Sequence, residues 1–249
     1  MQQPGRGALF VATDDPTLVV TGPTATGVTA PTLTIKFANV TSAVASGAPT
    51  GAVTGTLTLA GGDTASSGHV TIETGARIST NTLTLQATAK SNAIALNTTD
   101  VHATQVDLTA PTIGIGIGAG APVPGLSLVL ASNSTKFANV QSLALRAFSG
   151  PVWVYGDFNP GTANLILDAD GIALGQGATP GATYTMTASG AITLKNTLAP
   201  PFSGGTAATG ATLDLSASEI DLGTGPVNGN AVASSLSITG FSNVNWLAS

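Results

Sequence analysis

The phrase Lys36-Phe37-Ala38-Asn39-Val40 occurs a second time, letter for letter, as Lys136-Phe137-Ala138-Asn139-Val140. A looser copy, Phe241-Ser242-Asn243-Val244, lies near the end, and the phenylalanines are 100 and 104 residues apart. Val106-Asp107-Leu108-Thr109-Ala110 stands ahead of one copy much as Leu213-Asp214-Leu215-Ser216-Ala217 stands ahead of the next. Each of those words is followed by a second strand-like word, Ile113-Gly114-Ile115-Gly116 or Ile220-Asp221-Leu222-Gly223. Self-similarity over such distances marks a repeating architecture, in which each unit packs on its neighbours.

The unit beneath the repeat is an apolar-x-apolar word. Leu33-Thr34-Ile35, Leu57-Thr58-Leu59, Val70-Thr71-Ile72, Leu83-Thr84-Leu85, Ile94-Ala95-Leu96, Leu143-Ala144-Leu145, Val152-Trp153-Val154, Leu165-Ile166-Leu167 and Ile192-Thr193-Leu194 are examples, spaced mostly 7 to 13 residues apart. Alternation of period two over three to five residues is a short strand with one buried face. No window sustains the i, i+3, i+4, i+7 pattern, so essentially no helix is expected. Two all-β solutions fit short, evenly spaced strands: a sandwich of two antiparallel sheets, or a solenoid whose coils stack strand on strand.

Composition favours the solenoid. Aromatic residues, which anchor sandwich cores, are 4% of the chain, whereas hydrophobic residues in total are 43%. Charged residues are only 8%, against about 25% in ordinary domains, so Thr, Ser, Asn and Gly must supply the polar surface. The expected fold is therefore one β-solenoid over residues 1–249. Taking about 20 residues per coil, from the usual range of solenoid repeats, gives roughly 11 to 12 coils and a rod of roughly 55 Å. Gly, Pro, Ala and Thr-rich stretches at 41–56, 119–125, 175–183 and 198–211 read as loops bulging from the coils.

The net charge of −5 and the scatter of seven basic residues exclude the clustered Lys and Arg that nucleic-acid binding needs. The absence of cysteine excludes disulfides and thiolate metal sites. No apolar run reaches the ~18 residues of a membrane-spanning helix. The first residues lack the apolar stretch of a signal peptide, and the strand pattern is still running at Val244-Asn245-Trp246-Leu247. The chain is thus expected to be an internal segment of something larger.

Leu83-Thr84-Leu85-Gln86-Ala87, the words at 106–113 and 213–223, and Phe241-Ser242-Asn243-Val244 resemble those of filamentous haemagglutinin-like exoproteins, from about Leu33 to the end. That resemblance implies that the solenoid is a right-handed parallel β-helix, a shaft segment of a very large adhesin of Gram-negative bacteria, secreted or held at the cell surface. It also implies two-partner secretion through an outer-membrane transporter. Asn159-Pro160-Gly161 is the one echo of the family's secretion motifs, mid-chain and without their flanking pattern, so the segment resembles shaft rather than secretion signal.

Candidate chemistry is sparse. His69 and His102 are the only histidines, too few for a zinc or haem site without further ligands, so no metal and no cofactor is expected. Asp168-Ala169-Asp170-Gly171 partly matches a calcium loop but lacks its closing Glu and reads as a turn. Glycoside hydrolysis needs two facing carboxylates; Asp14/Asp15 and Glu219/Asp221 are adjacent pairs with no Arg near them in sequence, and Asp214 and Asp221 take outward positions in their strands. No catalytic residue is assigned. Trp153, Tyr155 and Phe158 form the densest aromatic cluster. With Val152 and Val154 pointing inward, alternation sets Trp153 and Tyr155 outward as a candidate contact patch for sugar or protein. Phe37, Phe137 and Phe241 are expected core plugs, and Asn39, Asn139 and Asn243 expected corner residues, since Asn tolerates left-handed backbone.

The function expected is structural: a non-enzymatic length of adhesin that projects a binding end, or offers its flank to a glycan or protein receptor on a host cell. End-to-end self-association of the isolated chain is expected from its open strand edges. The alternative is a β-helical polysaccharide-degrading protein of the phage tailspike or lyase type.

Overall fold

The computed structural model describes residues 17–20, 32–35, 56–61, 69–72, 77–87, 93–97, 100–118, 125–132, 134–197, 210–223 and 236–248. These residues are all-β, apart from one 3-10 turn at Thr135–Phe137. Nineteen strands, numbered in chain order, fall into three parallel sheets.

The first sheet runs β1 (Thr17–Val20), β3 (Thr56–Gly61), β5 (Arg77–Ala87), β7 (Asp100–Ala110), β10 (Asn139–Ala147), β12 (Asn164–Asp168), β15 (Ala191–Lys195) and β17 (Glu219–Gly223). The second runs β2 (Thr32–Ile35), β4 (His69–Ile72), β6 (Ala93–Leu96), β9 (Leu128–Ala131), β8 (Ile113–Ile117), β11 (Val152–Val154), β13 (Gly171–Leu174) and β18 (Ser237–Thr239). The third holds β14 (Thr183–Thr187), β16 (Thr212–Ala217) and β19 (Asn243–Ala248). Strands of the first and second sheets alternate from β1 to β8; β8 and β9 both belong to the second sheet, and from β14 to β17 the chain alternates between the third and first sheets.

Pairing in register is what the apolar-x-apolar word encodes. In the first sheet Leu83, Val106, Leu143, Leu165 and Ile192 occupy one column, and Leu85, Leu108, Leu145, Leu167 and Leu194 the other. All ten are buried. In the second sheet Ile113, Val152 and Ile172 form a column beside Ile115, Val154 and Leu174, and in the third Tyr184 and Leu213 lie beside Met186 and Leu215. Side chains of all three sheets join one hydrophobic core. Between the columns Thr84, Asp107, Thr193, Thr185 and Asp214 are partly exposed, as alternation requires, whereas Ala144 and Ala173 are fully buried and β8 and β13 are covered on both faces.

The expected spacing is corrected. One register position of the first sheet is held by Thr17, Thr56, Thr82, Gln105, Ser142, Asn164, Ala191 and Glu219. Successive strands are therefore 39, 26, 23, 37, 22, 27 and 28 residues apart, not about 20. Eight strands at ~4.8 Å span roughly 34 Å among the described residues, rather than roughly 55 Å. One long step has a visible cause. After β8 the chain turns back and lays β9 between β6 and β8, reversing the strand order locally. Thr112 anchors the excursion: its carbonyl accepts Ser127 N and Leu128 N, and its hydroxyl donates to Gly125 O.

The repeated phrase behaves differently from its expected stacking. Phe137 closes the 3-10 turn, fully buried, ahead of β10 of the first sheet. Phe241 is half-buried against Tyr184, with ring centroids 6.4 Å apart, ahead of β19 of the third sheet. Asn139 and Asn243 are the exposed first residues of those strands. Phe37 and Asn39 lie outside the described residues. The described copies do not pair with each other, because Asn139 faces His102 and Asn243 faces Thr212. What they share is position: both follow a strand of the second sheet, β9 or β18, and turn the chain out of it.

Phe137→Ala should lower stability by about 3–5 kcal/mol, the usual cost of deleting a buried phenylalanine. Urea titration measures it; a loss under about 1 kcal/mol would place the ring at the surface.

Candidate functional site

Two clusters stand on the outer faces of the sheets. The first is aromatic. Val152 and Val154 are fully buried, so Trp153 between them turns to the outer face of the second sheet, where it is half-buried. Its register partners are Gly114 of β8 and Ala173 of β13, and small neighbours on both sides leave room for the indole on the sheet. Tyr155 N donates to Ile115 O at 3.0 Å. The tyrosine ring lies over Gly175, where any Cβ would collide with it, and burial pushes its hydroxyl above the usual tyrosine range. A Cβ at Gly114 would displace the tip of the Leu126 side chain. Gly116, at φ +72°, lies so close to the Gly156 carbonyl that only glycine fits.

Phe158 does not belong to this patch, which corrects the three-residue cluster expected from the sequence. It is fully buried and bonded to the third sheet, Phe158 N to Thr185 O at 2.8 Å and Thr187 N to Phe158 O at 3.0 Å. The chain leaves β11 after Val154 and turns inward before Phe158, so period-two reasoning could not carry across it. Conversely, sequence reading missed Val129, which is 46% exposed in the register row of Gly114 and Trp153. It comes from the reversed strand β9, which no local pattern foretells.

The second cluster is ionic. Arg146, Asp168 and Lys195 occupy one register position on β10, β12 and β15. Arg146 Nη1 lies 2.8 Å from Asp168 Oδ2, and Lys195 Nζ lies 4.0 Å from the same oxygen. Thr197 donates its backbone N–H to Asp168 Oδ1 at 2.8 Å and its hydroxyl to Oδ2 at 2.5 Å. Alternation would expose Asp168, yet these partners cover it completely. Arg146 also lies 3.9 Å from Asp107, which accepts two bonds from Gln105. Both carboxylates are thus held by cations and donors, and a buried carboxylate needs that compensation.

Asp170 is different. It sits in the turn between β12 and β13, with Oδ1 buried and unpartnered. Desolvation raises its pKa to about 6, although backbone N–H groups of Asp170 and Gly171 pull the other way. Among the described residues no three His, Cys, Asp or Glu side chains converge to hold a metal ion. His102 is exposed on β7, and the side chain of His69 lies outside the described residues. Asp14 and Asp15 are also outside them; Glu219 and Asp221 are exposed on β17, and Asp214 accepts a bond from Asn245 at 2.8 Å.

The Asp170 environment fixes a sign for pH dependence. Its folded pKa lies above the usual ~3.9 of the unfolded chain, so the folded state holds the proton more tightly. Its stabilising contribution is complete below pH ~4 and is lost as pH rises through about 6. Asp170→Asn should therefore stabilise the chain at pH 7 and flatten its stability profile between pH ~4 and ~6, as read by denaturant midpoints across that range. An unchanged profile would show a solvated carboxyl. Compared with known proteins, the chain matches no family model, no curated protein and no solved structure.

Proposed function

We propose that the chain is a length of right-handed parallel β-helix and works as a non-enzymatic shaft in a secreted or surface-exposed bacterial adhesin. The observation that carries this reading is the continuity of the aliphatic columns. Parallel strands in three sheets that share one core support a stack of coils. Crossovers between parallel strands are right-handed in about 98% of cases, which supports the hand. Such a stack resists bending without a ligand or chemistry, because every coil bonds its backbone to the next.

Export through an outer-membrane transporter follows from the resemblance to filamentous haemagglutinin-like exoproteins. The outer row of Trp153, Tyr155 and Val129 is the contact surface offered to a glycan or protein receptor. Asp107 and Asp168 share Arg146, which takes these two carboxylates out of the acid and base roles that glycoside hydrolysis needs.

Incubation with a panel of polysaccharides should release neither reducing ends nor unsaturated sugars. Beads coated with the chain should hold a receptor-bearing surface, and Trp153→Ser should weaken that hold by about tenfold or more, as loss of a central aromatic contact does. Product release would overturn the non-enzymatic reading. Adhesion indifferent to the substitution would move the contact elsewhere.

A further inference from the structure

β9 enters the second sheet between β6 and β8, and it is bonded unequally to the two. It pairs with β8 along its length, from Ile113↔Leu128 to Ile117↔Ala131. Among the described residues, Ile94↔Leu128 is the one register pair that joins it to β6, and Ile94 N donates across that joint to Ser127 O at 2.8 Å. The cause of the imbalance is local. The β8–β9 register shifts between Ile115 and Ile117, at Gly116 with φ +72°, and β9 follows the bulge. β6 instead keeps step with β4 through Ile72↔Leu96, and Asn97 N donates to Ile72 O. Beyond Ile94 and Leu128 the two strands therefore part.

Residues two apart in a strand turn their backbone groups to the same side, so the Leu96 carbonyl points toward β9 as Ile94 N–H does. A side chain meets it there: Lys136 Nζ donates to Leu96 O at 2.5 Å. Lys136 lies on the 3-10 turn Thr135–Phe137. Phe137, fully buried, anchors that turn, and its N–H donates to Ser134 O at 3.2 Å. The lysine stem thus starts from a fixed base and reaches back 40 residues along the chain. Desolvation lowers its pKa below the usual lysine range. A charge-assisted bond, roughly twice as strong as a neutral one, compensates an ammonium drawn out of water in this way.

We propose that the Lys136 ammonium is a clasp between β6 and β9: it supplies the bond that β9 does not, and its release lets the second sheet open at this joint. The first sheet stays closed when it does. The same stretches of chain, 77–97 and 100–117, are joined there by β5 and β7, paired from Arg77↔Asp100 to Gln86↔Thr109. β7 is joined in turn to β10 as far as Ala110↔Ala147. Opening is a one-sided splay hinged on the first sheet. It uncovers Leu96 and Leu130, both buried in the closed joint, together with a strand edge able to pair with another strand.

The other cations of the sheets are used differently. Arg146 and Lys195 lie against the Asp168 carboxylate on one face of the first sheet, where register already aligns their strands. Lys136 bonds the main chain of a strand distant in sequence, at the point where strand pairing stops.

Amide hydrogen exchange of the full 249-residue chain tests the clasp. In the unsubstituted chain Ile94 N–H should exchange about tenfold or more faster than Leu145 N–H, since Leu145 lies where β10 is paired on both sides. Lys136→Met keeps the stem and removes the donor. It should speed Ile94 exchange by about a further tenfold or more and leave Leu145 unchanged. Lys136→Arg keeps a cationic donor and should return the Ile94 rate to within about threefold of the original. Ile94 exchange as slow as that of Leu145 would show that the joint is no weaker than the first sheet. Equal acceleration of both residues by Lys136→Met would make the lysine a support of the whole fold, and equal effects of Met and Arg would remove the bond to Leu96 as the cause. Each of these results would overturn the proposal, the first without requiring any variant to fold.

Discussion

When strands pair in parallel and in register, each residue lies on its counterpart in the strand before, so an inward column stays apolar from strand to strand. The rest of the structure follows from that constraint. Leu83, Val106, Leu143, Leu165 and Ile192 need only be aliphatic and of similar size to fill one column. The Thr and Ser residues between them need only be soluble. Few charges are required, because the backbone bonds that join neighbouring strands do not depend on side-chain identity, and a core of one aliphatic type per column loses little when Val replaces Leu.

The same constraint makes polar groups that leave the outer face conspicuous. Asp168 occupies an outward position but is sealed by Arg146, Lys195 and Thr197, three groups that reach it because register aligns their strands. Asp170, two residues on, has no such neighbours for Oδ1, and desolvation raises its pKa instead. Aromatic residues obey the rule too: the Tyr155 ring lies over Gly175, and the register neighbours of Trp153 are the small residues Gly114 and Ala173. A scaffold of this kind can present a contact surface at any point along its flank without altering its core.

The β class, the parallel core columns and the near absence of helix were legible because period two and stacking leave direct marks in the apolar-x-apolar words. The strand spacing was not, since the length of chain between stacked strands can change at little closure entropy. The repeated phrase was informative in a different way from that expected: Phe137 and Phe241 mark the departure from the second sheet rather than one column. Of the aromatic cluster, Trp153 follows from alternation, whereas Phe158 lies beyond a turn where alternation lapses, and Val129 joins through a reversal of strand order. The burial of Asp168 depends on Arg146 and Thr197, 22 and 29 residues away, a pairing visible only once the register is known.

Spin labels test the central claim most directly, since the chain contains no cysteine and labels can be set at chosen pairs. Thr82, Gln105 and Ser142 each precede Glu219 in one register row, by five, four and three strands. Dipolar distances from Glu219→Cys to Thr82→Cys, Gln105→Cys and Ser142→Cys should fall by ~4.8 Å per strand, near 24, 19 and 14 Å between backbones. Distances that ignore this order, as two packed antiparallel sheets would give, would contradict the parallel stack.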